Sequence, residues 1–139
     1  MKVAILDAQG AGLGQTVIKK IRKEIGKNIY LIALGTNQVA TSNMIKAGAD
    51  KGLTGERSIC LFCKNNKLDC IIGPIGIICS GGIKGEITPL ISKTVFEMNC
   101  TKYIIPLKKH EIYIPGTRNL KIKEIIEEIV FNIKEKMMS

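Results

Sequence analysis

Apolar and polar positions alternate between two periods along this chain. Lys2 to Leu6 is a short β run that ends at Asp7, and Asn28 to Leu34 is a second, closed by Gly35. Between them, Val17, Ile18, Ile21 and Ile25 recur at helical spacing, with Lys19, Lys20 and Lys23 away from that face. Gly26 stops this helix. Asn37 caps a second helix through about Ala47, ended by Gly48. A short strand near Lys51 to Leu53 precedes a helix from Gly55 to Asn66, although Ile59 to Cys63 reads equally as a strand. Asp69 to Gly73 is the next central strand, and Thr88-Pro89 opens a helix to about Asn99. Lys102 to Leu107 and Glu111 to Ile114 read as strands, and Leu120 to Met137 as a long amphipathic helix striped by Ile122, Ile125, Ile126, Ile129 and Ile133.

Strands alternating with helices in this order predict one α/β domain over residues 1–139, a three-layer, doubly wound, mostly parallel sheet of Rossmann-like type. No linker, repeat or low-complexity tract divides the 139 residues. Composition agrees. Of the 45% apolar residues isoleucine is the largest share, there is no Trp, and Phe and Tyr number three each. Such a core suits strands buried on both faces.

The first local signal for chemistry is Gly10-Ala11-Gly12-Leu13-Gly14 between a strand and a helix. There, close backbone approach and unpaired N–H groups at a helix start favour a phosphate. The dinucleotide fingerprint places its third glycine where Gln15 stands, so the alternative is a turn needed only for helix–sheet packing. Asp7 and Gln9 lead into this turn. A carboxylate at Asp7 would repel a pyrophosphate unless it faces ribose hydroxyls or Mg²⁺, so it reads as a turn former, a ligand contact or a phosphoryl acceptor. At the end of the second strand NAD binders carry an acid, yet no acid lies between Ile25 and Ala49. Gly35, Thr36 and Asn37 stand there instead, which favours NADP or a mononucleotide over NAD, or else leaves Asn37 as a plain helix cap. After the central strand, Gly73-Pro74-Ile75-Gly76 should face the first turn as an apolar pocket wall. Ser80, Lys84 and Glu86 are the nearest polar groups beyond it, and Lys84 to Glu86 reads as an exposed turn.

The remaining candidates point to structure. Cys60-Leu-Phe-Cys63 lacks two further ligands at zinc spacing and reads as two thiols buried on one helix face. The five cysteines, odd in number and set largely in apolar runs, fit reduced, buried thiols of the cytoplasm. His110, the sole histidine, has no nucleophile paired with it, and no Tyr-x-x-x-Lys pair exists. The chain opens directly on a strand, and its apolar stretches are too short for a bilayer, so no signal peptide or membrane span is expected. The net charge of +9 comes from scattered lysines with few aromatics to stack on bases, which disfavours nucleic acid.

With Asp7-Ala-Gln9-Gly10-Ala-Gly12, Leu34-Gly35-Thr36-Asn37, Ala47-Gly48-Ala49-Asp50, Thr54-Gly55-Glu56 and Gly73-Pro74-Ile75-Gly76-Ile77 in order, the chain resembles a family of short bacterial proteins, common in clostridia, classed as a domain of unknown function. The resemblance runs nearly end to end and implies a Rossmann-like fold with a nucleotide site and no assigned reaction. Ala11 stands where a further glycine is expected.

The expectation is therefore a cytoplasmic protein that binds NADP or another nucleotide at the Gly10–Gly14 turn, with its catalytic residues, if any, unassigned. A homodimer is expected, since an open sheet has edges to cover. The competing reading is a non-enzymatic module that binds RNA or an acidic partner through its basic surface.

Overall fold

The computed structural model describes residues 1–107 and 111–139. Five strands, β1 (Lys2–Asp7), β2 (Tyr30–Gly35), β3 (Lys51–Thr54), β4 (Cys70–Pro74) and β5 (Thr101–Ile105), form one sheet in the order β3-β2-β1-β4-β5. Every pairing is parallel. The helices are α1 (Gly12–Glu24), α2 (Gln38–Ala47), α3 (Glu56–Asn65), α4 (Pro89–Glu97) and α5 (Ile122–Met137).

Period-two alternation divides each buried strand between two cores. Val3, Ile5, Leu31, Ala33 and Ile72 pack against α1, α2 and α5. Ala4, Leu6, Ile32, Leu34 and Ile71 pack against α3 and α4 on the other face. The strand order reverses between β1 and β4, and at such a switch point the loops leaving the two strands diverge to opposite faces and open a crevice. This crevice is bounded by the turn after β1 and the loop after β4.

The ambiguous run Ile59 to Cys63 is helical, because Ile59, Cys60 and Cys63 fall on the single buried face of α3. Two expectations are corrected. Pro106 follows directly on β5, which ends at Ile105 and not at Leu107. Glu111 to Ile114 is not a strand but a turn and irregular chain. Its alternation suits a strand, but Ile112, Tyr113 and Ile114 remain exposed, and Pro115-Gly116 turns the chain away four residues later. His110 lies outside the described residues.

At the opposite end of the sheet one side chain ties two connections together, the one between α1 and β2 and the one between α2 and β3. Arg22 of α1 donates from Nε to the Gly48 carbonyl (2.8 Å), from Nη1 to the carbonyls of Gly26 and Ile29 (2.9 Å each), and from Nη2 to Asp50 (2.6 Å). Arg22→Met keeps the aliphatic stem but removes the donor of the three carbonyls and leaves Asp50 with the Leu31 N–H alone. We expect it to lower the unfolding free energy by about 2 kcal/mol in urea titrations, and an unchanged midpoint would show the ties to be replaced by water.

Candidate functional site

The turn between β1 and α1 is built around Asp7. This side chain is buried, and its two oxygens accept the N–H groups of Ala8 and Gly14, both at 2.8 Å. Burial pushes its carboxyl above the ordinary range; the two N–H bonds work against that rise and nearby Glu86 adds to it. With both oxygens engaged inside the fold, Asp7 acts as an internal brace of the turn. It takes up the third N–H of α1 and leaves the first two.

The chain then enters α1 through two non-glycine residues in the left-handed region, Gln9 and Ala11, each with φ 54°. Gly10 and Gly12, by contrast, do not have positive φ, and a Cβ on either would meet nothing within 4 Å. Neither conformation nor internal packing calls for glycine at these two positions. Around them, the Gly10 carbonyl accepts from the amides of Gln15 and Asn43 (3.0 Å each) and the Gln9 carbonyl from Asn37 (3.0 Å). The backbone N–H groups of Gly10, Gly12 and Leu13 have no acceptor among the described residues. The turn is thus held by its carbonyls and offers its amides.

Gly14 differs. A Cβ there would stand 2.7 Å from Met44 Sδ and 3.2 Å from Asp7 Oδ2, so this glycine lets α1 sit close to α2 and the strand tip. Gly35 and Gly73 are similar, since a Cβ would come within 2.6 Å of the Thr41 nitrogen and of the Leu6 carbonyl oxygen respectively.

At the tip of β2, Thr36 and Asn37 face Glu86, a residue whose sequence context reads as an exposed turn. Glu86 Oε1 accepts from Thr36 Oγ1 (2.6 Å), Asn37 Nδ2 (2.9 Å) and the Gln9 N–H (3.0 Å). Lys84 is exposed as expected, but Glu86 is half-buried and joins the β1 turn to the β2 tip. Burial alone would raise its carboxyl, and the bonds from Thr36, Gln9 and Asn37 outweigh that and hold it below the ordinary range. Asn37 also caps α2, its Oδ1 accepting the Ala40 N–H at 2.9 Å. The loop that delivers Glu86 is strained: Ile83 and Lys84 both have φ 52°, unfavourable for any side chain and most of all for a β-branched one. A signal for Glu86 did exist, as the sole acid between Asp69 and Glu97, but no local pattern links residue 86 to residues 9, 36 and 37.

These parts enclose a cleft of about 470 Å³ over the carboxyl ends of β1 and β4. Of the residues singled out from sequence, Asp7, Gln9, Gly10, Ala11, Gly12 and Leu13 line one side, and Pro74, Ile75 and Gly76 the other. Gly14, Gly35, Thr36, Asn37 and Gly73 are not in its lining. Ile83, Leu107 and Ile112 complete an apolar wall that the sequence did not assign.

Elsewhere, Cys60 and Cys63 are buried on α3 as expected. Burial pushes the thiols of Cys63 and Cys70 up to about 12, which leaves them un-ionised near neutrality. Cys79, read as buried, is exposed, because it follows the single helical turn Ile75–Ile78 at the cleft margin. Among the described residues no three His, Cys, Asp or Glu side chains gather in a way that could hold a metal ion. No described helix is long and apolar enough to cross a membrane.

The chain belongs to the family described as a domain of unknown function, DUF3842, whose model matches residues 2–138. No curated protein matches it in sequence. Among solved structures it is similar to a dodecameric FMN-dependent Ubix-like decarboxylase from Escherichia coli O157:H7. The likeness covers 100% of this chain and 95% of the other, with a TM-score of 0.55 and 10% sequence identity. At that identity the likeness establishes the shared α/β fold.

Proposed function

We propose that this protein binds a mononucleotide, with its phosphate on the amides of Gly10, Gly12 and Leu13 and its ring against Pro74, Ile75 and Ile83. One observation carries the reading: two glycines of ordinary φ whose missing Cβ atoms would point into empty space, beside three N–H groups without an acceptor. Internal needs of the fold explain Gly14, Gly35 and Gly73 but not these two. An anion approaching the backbone at the start of α1 explains both features, through the unpaired amides and the helix dipole. The apolar wall suits a flat ring, and the cleft volume lies within the range of small-ligand sites.

Flavin mononucleotide is the first candidate, since it joins a phosphate monoester to a large flat ring and is the cofactor named for the similar decarboxylase. NADP fits less well, because the Thr36 and Asn37 donors that could have met its 2′-phosphate already serve the Glu86 carboxylate. A homo-oligomer belongs to the same proposal. β3 and β5 are the edges of the sheet, and the similar decarboxylase is a dodecamer.

The test is a thermal-shift screen against FMN, AMP, NADP, NAD and inorganic phosphate. A ligand at about one hundred times its dissociation constant adds roughly 2.7 kcal/mol. For a domain of this size the unfolding temperature should rise by roughly 8–12 °C with FMN or AMP. A flat response to every nucleotide would overturn the reading.

A further inference from the structure

Resting on the nucleotide reading above, we infer that Glu86 is the residue that selects the sugar of the ligand, favouring free hydroxyls and rejecting a second phosphate. Doubly wound folds that bind ribose through its hydroxyls place a carboxylate at the tip of the second strand. Here no acid lies on that strand or the helix after it, up to Ala49. The structure nevertheless has a carboxylate at that tip, delivered across the crevice by the loop after β4. Glu86 reaches Thr36 and Asn37, the two residues that follow β2, and the Gln9 amide on the edge of the cleft.

The three donors all converge on Oε1. Oε2 has no partner among the described residues and is not buried, since no buried side-chain nitrogen or oxygen among them lacks one. One oxygen is therefore fixed by the fold while the other is accessible at the margin of the cleft, whose lining includes Gln9 and Ile83 beside it but not Glu86 itself. A hydroxyl can donate to it. A phosphate carries no donor when ionised, and its charge would face the carboxylate directly. Thr36 and Asn37 cannot compensate, because their donors already point at Glu86.

The strain in the same loop fits this role. Ile83 and Lys84, both left-handed, turn the chain so that Ile83 lines the cleft and Glu86, three residues on, reaches the tip of β2. Such conformations persist where the surrounding structure over-determines them, commonly at ligand sites.

The experiment is a calorimetric comparison of AMP with adenosine 2′,5′-bisphosphate, on the wild type and on Glu86→Gln. The glutamine keeps an acceptor oxygen for Thr36, Asn37 and Gln9 but removes the charge. The wild type should bind AMP at least ten times more tightly than the bisphosphate, and Glu86→Gln should bring the two within about threefold. An unchanged ratio in the variant overturns the role of Glu86 while leaving the nucleotide site standing. Failure of both ligands to bind the wild type overturns this inference, and failure of FMN to bind as well overturns the nucleotide reading. A second measurement needs no variant. 2′,3′-Dideoxy-AMP should bind the wild type about tenfold more weakly than AMP, and equal affinity would show that no hydroxyl meets Oε2.

Discussion

Gly35→Ala is expected to lower the unfolding free energy by about 3 kcal/mol, near the upper end of overpacking costs, and the unfolding temperature by roughly 10–15 °C. The new methyl would stand 2.6 Å from the backbone nitrogen of Thr41 and 3.0 Å from its Cα, and would also strike its Oγ1. A flexible side chain could swing aside, but Thr41 cannot. Its hydroxyl lies 3.2 Å from both the Asn37 and the Leu53 carbonyl, to either of which its one proton is donated, and accepts from Thr54, and its nitrogen lies in the first turn of α2, which Asn37 caps. Relief would require α2 to lift from β2 as a unit, opening the packing of Ala40 and Met44 against the sheet. The measurement is a urea or thermal unfolding curve of the variant without ligand. A loss below about 1 kcal/mol would mean that α2 can ride outward at little cost, and that its contact with β2 is looser than these distances indicate.

Gly35 also marks how far the sequence could be read. The glycine closing a strand was visible, and so was its nearness to the candidate site, but the reason for it was not. A glycine required by a helix passing over it and a glycine required by a ligand look the same in a sequence. They separate only when the neighbouring backbone is placed. That placement assigns Gly14, Gly35 and Gly73 to packing and leaves Gly10 and Gly12 with nothing in the fold to account for them.

The sheet and helices were legible because buried parallel strands and amphipathic helices carry their own periods, as the Ile stripes of α1 and α5 do. The segment after β5 misled because four residues of alternating pattern are too short to outweigh a proline on either side. Glu86 was hidden for a different reason. Its partners are 77, 50 and 49 residues away in sequence, and a long-range tie between loops leaves no periodic trace. Asp7 differs, because its partners Ala8 and Gly14 lie only one and seven residues away and the role of turn former is among its readings from sequence. Its position at a strand tip suggested repulsion of a phosphate, whereas two amides within the fold already take up both its oxygens.

Gly12→Val is the substitution that divides a ligand's requirement from the fold's. Its Cβ would meet no atom within 4 Å, and the position is the first of α1, with φ outside the left-handed region. The valine therefore costs no packing, and relative to glycine its helix propensity is neutral to slightly favourable. The unliganded variant should unfold within about 2 °C of the wild type, because surface changes of this kind fall within roughly 0.5 kcal/mol. Binding should respond very differently. A phosphate held by the Gly12 and Leu13 amides must approach the backbone where the isopropyl group now stands, and the affinity for FMN or AMP should fall at least about 100-fold, equivalent to about 2.7 kcal/mol. The Gly10 and Leu13 amides alone cannot restore it, since the side chain blocks the approach to all three. Gly14→Ala is the matched control, expected to lower stability through its contacts with Met44 Sδ and the Asp7 carboxylate. Loss of binding without loss of stability at residue 12, beside loss of stability at residue 14, is the pattern that a phosphate cradle requires. Full affinity in a well-folded Gly12→Val protein would instead move the ligand off the glycine turn, and the open space at Gly10 and Gly12 would then have no role in binding.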